Sequence, residues 1–147
     1  MPTPVPTYLK NHEAVVAAFG EWPGFHDAPV LAVRYSERQG GRVEIDLHGF
    51  WVTGEVGEGG YLKLTSHHLV RFAFTGITDA DLTGSTNGNV LFDLGFSSPE
   101  EFDAAGKFTV CLESAMGGDR SGFFTARSGE VLKVSPCDPR LGMGRPF

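Results

Sequence analysis

With 147 residues, 41% of them hydrophobic and 20% charged, the chain has the composition of one folded globular domain, long enough for one core and too short for two. Its 12 Lys and Arg against 18 Asp and Glu give a formal charge of −6, which argues against a nucleic-acid or anionic-membrane surface, because both want a basic field. No apolar run approaches the ~20 residues that span a bilayer, and the start MPTPVPTYLK lacks the basic-then-apolar order of a secretory signal.

The prolines at positions 2, 4 and 6 keep residues 1–7 extended, as an N-terminal arm. From Tyr8 or Asn11 to Phe19 the residues favour a helix: Ala14, Ala17 and Ala18 are good helix formers, Asn11 suits the N-cap, Gly20 is a natural stop, and Leu9, Val16 and Phe19 share a face. Pro23 and Gly24 then rule out regular helix, and the period changes to two. Leu31, Val33 and Tyr35 alternate with Ala32, Arg34 and Ser36. After a turn at Gln39-Gly40-Gly41, Val43, Ile45 and Leu47 alternate with Glu44, Asp46 and His48, which predicts a hairpin with one buried face.

The stretch TGEVGEGG reads as a second turn, before Tyr61, Leu62 and Leu64; Val70, Phe72 and Phe74 alternate with Arg71, Ala73 and Thr75. GITDADLTGSTNGN reads as a loop anchored by Ile77 and Leu82, and Val90, Phe92, Leu94 and Phe96 form the clearest strand. SSPEEFDAAG is expected to be a helical turn capped by Ser98, with Pro99 at its first position and Gly106 as its stop. Phe108, Val110 and Leu112 alternate again, followed by Phe124 with Ala126 and by a last strand near Val131 to Val134; residues 138–147 are expected to be an irregular tail.

About seven or eight short strands at regular spacing, one N-terminal helix and one helical turn predict a mainly β, antiparallel sandwich or open barrel-like sheet, as a single domain over 1–147. The strands follow one another without long helices between them, which argues against a parallel sheet. Cys111 falls on a strand and Cys137 in the tail; in a chain without a signal they read as reduced thiols, so a cytoplasmic protein is expected.

Signatures of chemistry are sparse. The chain contains no GxxxxGK[ST] and no GxSxG, and its glycine pairs lie in hairpin turns where no helix follows to cradle phosphate. His26, His48, His67 and His68 with Asp27 or Asp46 are the residue types that hold zinc or iron. HEXXH, CXXC and HXH are all absent, though, and His67 and His68, being consecutive, point to opposite faces of a strand. They are therefore read as separately satisfied surface or edge histidines. Asp79 with Asp81 and Glu100 with Glu101 are carboxylate pairs in the sense of acid–base catalysis. Their positions in a turn and in a first helical turn account for them structurally.

The opening stretch EWPGFHDAPV admits two readings. His26 beside Asp27 offers a base and its partner. Alternatively, Trp22 and Phe25 plug one end of the core while Pro23-Gly24 turns the chain from helix to strand, and His26 and Asp27 bond to backbone. The structural reading is favoured, because adjacent side chains seldom face the same way.

This stretch, with the segment LVRFAFTGITDADL and a later N-V-L strand, resembles the immunity protein 50 family of bacteria. The resemblance rests on Phe19, Trp22, Pro23, Phe25, His26, Asp27, Ala28 and Val30, then on Val70, Phe72, Phe74, Gly76, Asp81, Leu82, Asn89 and Val90, and covers roughly residues 15 to 115. It implies a non-catalytic role without catalytic residues, metal or other cofactor: tight stoichiometric blockade of a cognate toxin, with no nucleic-acid or membrane partner. Such pairs reach dissociation constants on the order of 10⁻¹³ M through aromatic anchors and complementary charge. The −6 charge would steer the chain to a basic toxin surface.

For the contact surface the expected residues are Trp51, Glu55 and Glu58, in and beside the connection from Thr53 to Gly60; Phe50 and Trp51 must point to opposite faces of their strand. The alternatives are a small metal-binding protein or hydrolase using His26 and Asp27 with further histidines, and a structural or assembly subunit.

Overall fold

The computed structural model describes residues 5–25, 28–56, 62–81, 91–114 and 122–137. Within them, helix α1 (His12–Phe19) precedes strands β1 (Val30–Ser36), β2 (Arg42–Val56), β3 (Leu62–Thr75), β4 (Thr78–Asp81), β5 (Leu91–Phe96), β6 (Phe108–Ser114), β7 (Gly122–Ala126) and β8 (Ser128–Pro136). They form two four-stranded antiparallel sheets, in the orders β1-β2-β3-β8 and β4-β7-β6-β5. The architecture is thus mainly β and antiparallel as expected, as two separate layers with no closed barrel. Among the described residues, no helix is long and apolar enough to cross a membrane.

The core lies between the layers and follows the period-two pattern. Val43, Ile45, Leu47, Val70, Phe72 and Phe74 of the first sheet meet Leu94, Phe108, Val110, Leu112, Phe124 and Ala126 of the second, all buried. Among the described residues, Phe74 makes the tightest ring contact between the two sheets, 5.1 Å from Phe124. Each such ring removes a large apolar area from water, about 25 cal/mol per Å² of it.

α1 ends at Gly20, whose left-handed φ of 86° lets its N–H reach the Val16 carbonyl at 2.7 Å. Asn11 flanks the other end as expected but does not cap it: its side-chain amide donates to the Val131 carbonyl instead, tying the helix start to β8. Val15 and Phe19 are the buried residues of the helix, with Val16 only partly covered. Lys10 continues the junction, its N–H bonding to the Gly129 carbonyl and its carbonyl accepting the Val131 N–H.

Gly129 sits where β8 passes the core. A β-carbon there would stand 2.6 Å from Leu9 Cδ2 and 2.8 Å from Phe74 Cδ1. Gly129→Ala is therefore expected to cost roughly 1–3 kcal/mol, as overpacking of a filled core does, measurable by urea unfolding.

Four further expectations need correction. In β1 a bulge between Val30 and Ala32 makes Leu31 the extra residue, so Val30 takes the buried place, and Tyr35, on the core side at the end of this edge strand, remains 58% exposed. Strand β2 runs through Val56, so Thr53–Val56 are strand rather than turn. Residues 78–81 are strand β4 rather than loop, paired to β7, although Ile77 is buried as expected. The helical turn shrinks to a 3-10 turn at Pro99–Glu101. Its capping box is present, with Glu101 accepting the Ser98 N–H at 2.9 Å. Beyond it Asp103 organises a separate turn by accepting the N–H groups of Ala105 and Lys107. Leu82, Asn89 and Val90 lie outside the described residues.

Tyr8 pins the N-terminal segment to the second sheet. Its ring packs 4.7 Å from Phe108 and 5.0 Å from Phe102, and its hydroxyl donates to the Ser97 carbonyl at 2.7 Å. Burial, aided by the charge of Glu101, pushes its pKa up to about 12 in spite of the Ser97 hydrogen bond, so the hydroxyl stays a donor.

Candidate functional site

The opening motif is built into the core. Trp22 is 1% exposed and Phe25 2%. The indole stands edge-on to Phe25 and Phe96 at 5.9 and 5.8 Å and 6.1 Å from Phe72, so it touches both layers. The backbone makes the same connection. Gly24 offers its carbonyl to the Leu94 N–H of β5, and Pro29 offers its own to the His48 N–H of β2. Gly24 and Phe25 both have positive φ, 66° and 59°. Phe25 holds that left-handed conformation, which costs a non-glycine residue roughly 1–2 kcal/mol, against the burial of its ring beside Phe72 and Phe19. His26 and Asp27 lie outside the described residues.

The histidines divide as strand alternation requires. His68 packs toward the helix, 5.1 Å from the Phe19 ring, while His67 turns to the other side of β3. There it meets His48, and the reading of separately satisfied histidines gives way. His48 is fully buried, and its Nε2 lies 3.0 Å from Nδ1 of His67 with Phe50 beside both rings. A single N–H between two ring nitrogens requires at least one neutral imidazole. Among the described residues, no group of three or more His, Cys, Asp or Glu side chains is placed to hold a metal ion.

A larger polar constellation occupies the outer face of the first sheet. Asp46, only 5% exposed, is gripped by two arginines. Arg71 donates from Nε and Nη2 to its two oxygens at 2.7 and 2.9 Å, and Arg34 from Nη2 to Oδ1 at 3.0 Å. Glu44, one step along the same face, accepts from Arg34 at 3.3 Å and from Arg42 at 3.0 Å. The register explains the convergence: Arg34 stands opposite Glu44, and Arg71 opposite Asp46. Burial would raise the Asp46 carboxyl, but the hydrogen bonds from Arg71 and then Arg34 outweigh it and hold it below the usual carboxylate range. Glu44 is held low in the same way by Arg42 and Arg34. Both carboxylates are thus fixed anions near neutral pH, poorly suited to move protons and well suited to lock the arginines in place.

The remaining sequence candidates stand apart from this array. Asp79 and Asp81 are exposed on β4, and Glu101 is engaged by Ser98. Of the expected contact residues, Trp51 and Glu55 lie on β2 with side chains outside those described, and Glu58 lies wholly outside them. Phe50 is buried. Sequence reasoning placed Arg34, Glu44, Asp46 and Arg71 on the polar sides of their strands but did not assemble them; the available signal was opposite charge at alternating positions of three consecutive strands. No protein-family model, curated protein or solved structure matches the chain.

Proposed function

We propose that the chain is a non-catalytic protein-binding module, an immunity protein that neutralises a cognate bacterial toxin by stoichiometric binding. The observation that carries this reading is the outer face of the first sheet. Five of its charged side chains are held by one another, Arg34, Arg71 and Asp46 across three strands and Glu44 by Arg34 from β1 and by Arg42 from its own strand, so their positions are set before any partner arrives. Preorganisation of that kind lowers the entropic cost of docking and lets fixed charge select the partner. Tyr35 at the edge of the same sheet supplies an exposed aromatic of the type that anchors interfaces. The positions behind the family resemblance, Trp22, Phe25, Phe72 and Phe74 among them, are core positions. They speak for the scaffold, and the surface speaks for the role.

The test is a tagged purification from the native cell at near-natural expression, with bound proteins identified by mass spectrometry. One stoichiometric partner that survives high-salt washing, and whose expression alone stops growth until this chain is co-expressed, is the expected result. A bait without partner that carries bound zinc or iron would overturn the reading in favour of a metal-dependent role for His26 and Asp27 with further histidines.

A further inference from the structure

The described part of the first sheet's outer face carries a charge opposite in sign to that of the whole chain. Among the described residues, reading across the register, Lys10, Arg34, Arg42, Arg71 and Lys133 lie on it or at its rim against Glu44, Asp46 and Glu130, five basic side chains to three acidic, on a chain whose formal total is −6. The two buried or half-buried carboxylates are used up by three guanidiniums. Among the described residues, Lys10 and Lys133 make no side-chain hydrogen bond or ion pair. A groove of about 300 Å³ opens on this face, lined by Lys10, Arg42, Ala73, Thr75, Ser128 and Glu130. Its floor is the small, buried Ala73, and the hydroxyls of Thr75 and Ser128 are hydrogen-bonded to each other at 2.6 Å, which leaves one neutral O–H donor for a ligand.

From this we infer that the outer face of the first sheet, centred on the Lys10–Arg42 groove, docks an acidic segment of a partner protein through its carboxylates. The inference rests on the binding role proposed above and reverses the charge expected of the partner: the chain's net charge points to a basic toxin surface, while the face that is built for contact points to an acidic one. Approach is governed by the local field, since charges beyond about 8 Å are largely screened at physiological salt. The basic positions lie at two ends of the face, Lys10 with Arg42 beside Thr75 and Lys133 beside Arg71. Thr75 and Arg71 are four residues apart on β3, roughly 13 Å along a strand. An extended segment with carboxylates at positions i and i+4 spans both ends on one side. Glu130, inside the groove, opposes the ligand and limits its affinity.

The experiment is a ¹⁵N-resolved titration of the full chain with three probes: an extended decapeptide carrying glutamates four residues apart, the same peptide with lysines in their place, and a short DNA duplex. The glutamate peptide is expected to shift amides of residues 8–10, 42–46, 71–75 and 128–133, with an affinity that falls as salt rises. Lys10→Glu with Lys133→Glu should weaken it about tenfold, the scale of two lost charge contacts, and Glu130→Gln should strengthen it. Unmoved amides on this face, equal binding by the doubly reversed protein, or stronger binding of the lysine peptide or the DNA would each overturn the inference. The two proposals fail separately. A captured partner that binds the doubly reversed protein as tightly as the wild type removes this face and leaves the binding role standing. Failure to capture any partner removes the role, and the peptide titration still decides the face.

Discussion

Replacing Trp22 by alanine lowers the free energy of unfolding by roughly 3–5 kcal/mol, the range for truncating a large buried aromatic. The indole fills the space where the two sheets and the segment after α1 come together, in ring contact with Phe25, Phe72 and Phe96. Two backbone hydrogen bonds between the motif and the sheets, Leu94 N–H to the Gly24 carbonyl and His48 N–H to the Pro29 carbonyl, hold the segment against collapse into the void. In thermal unfolding the midpoint falls by roughly 6–20 °C, at about 2–4 °C per kcal/mol for a chain of this size. Trp22→Phe retains part of the contact and should fall between the two. A Trp22→Ala protein as stable as the parent would show that the motif is not the anchor, and would turn attention back to its polar residues.

The second large effect is electrostatic. Asp46→Asn keeps the shape of the side chain and removes the charge that two guanidiniums share. Breaking a fully buried pair costs 3–5 kcal/mol. Here the arginines keep partial contact with water, so roughly 2–3 kcal/mol is expected from urea unfolding at pH 7. The pH dependence identifies the cause. Because the Asp46 carboxyl is held below its ordinary value in the folded chain, the unfolded chain takes up the proton first. Its contribution to stability is complete above about pH 4 and is lost as pH falls through the lower folded-state value. Glu44 acts in the same direction. Wild type should therefore lose stability below pH 4 more steeply than Asp46→Asn; parallel curves for the two proteins would show that the pairing with Arg34 and Arg71 contributes nothing.

How much of this was legible beforehand follows from the range of each interaction. Period-two alternation located the hairpin, the strand from Val70 to Phe74 and the strand from Phe108 to Val110 with their buried faces, because the inward face of a strand is set residue by residue. Gly20 and the Ser98–Glu101 box were readable as stop and cap because those interactions are local. Leu31 was misplaced because a bulge depends on the partner strand, and Tyr35 is exposed because the end of an edge strand leaves its core side uncovered. Asn11 was misread because Val131, 120 positions away, competes for its amide.

The sequence by itself determined that this is a mainly β antiparallel protein with an aromatic core, a short leading helix and a tryptophan anchor, since burial and backbone geometry repeat within a few residues. Which charges meet was decided only by the tertiary structure. Arg34, Asp46 and Arg71 lie on three different strands, and His48 finds His67 across a hairpin. A coulombic or hydrogen-bonded contact needs atoms within a few ångströms, and only the register of one strand against the next sets that distance.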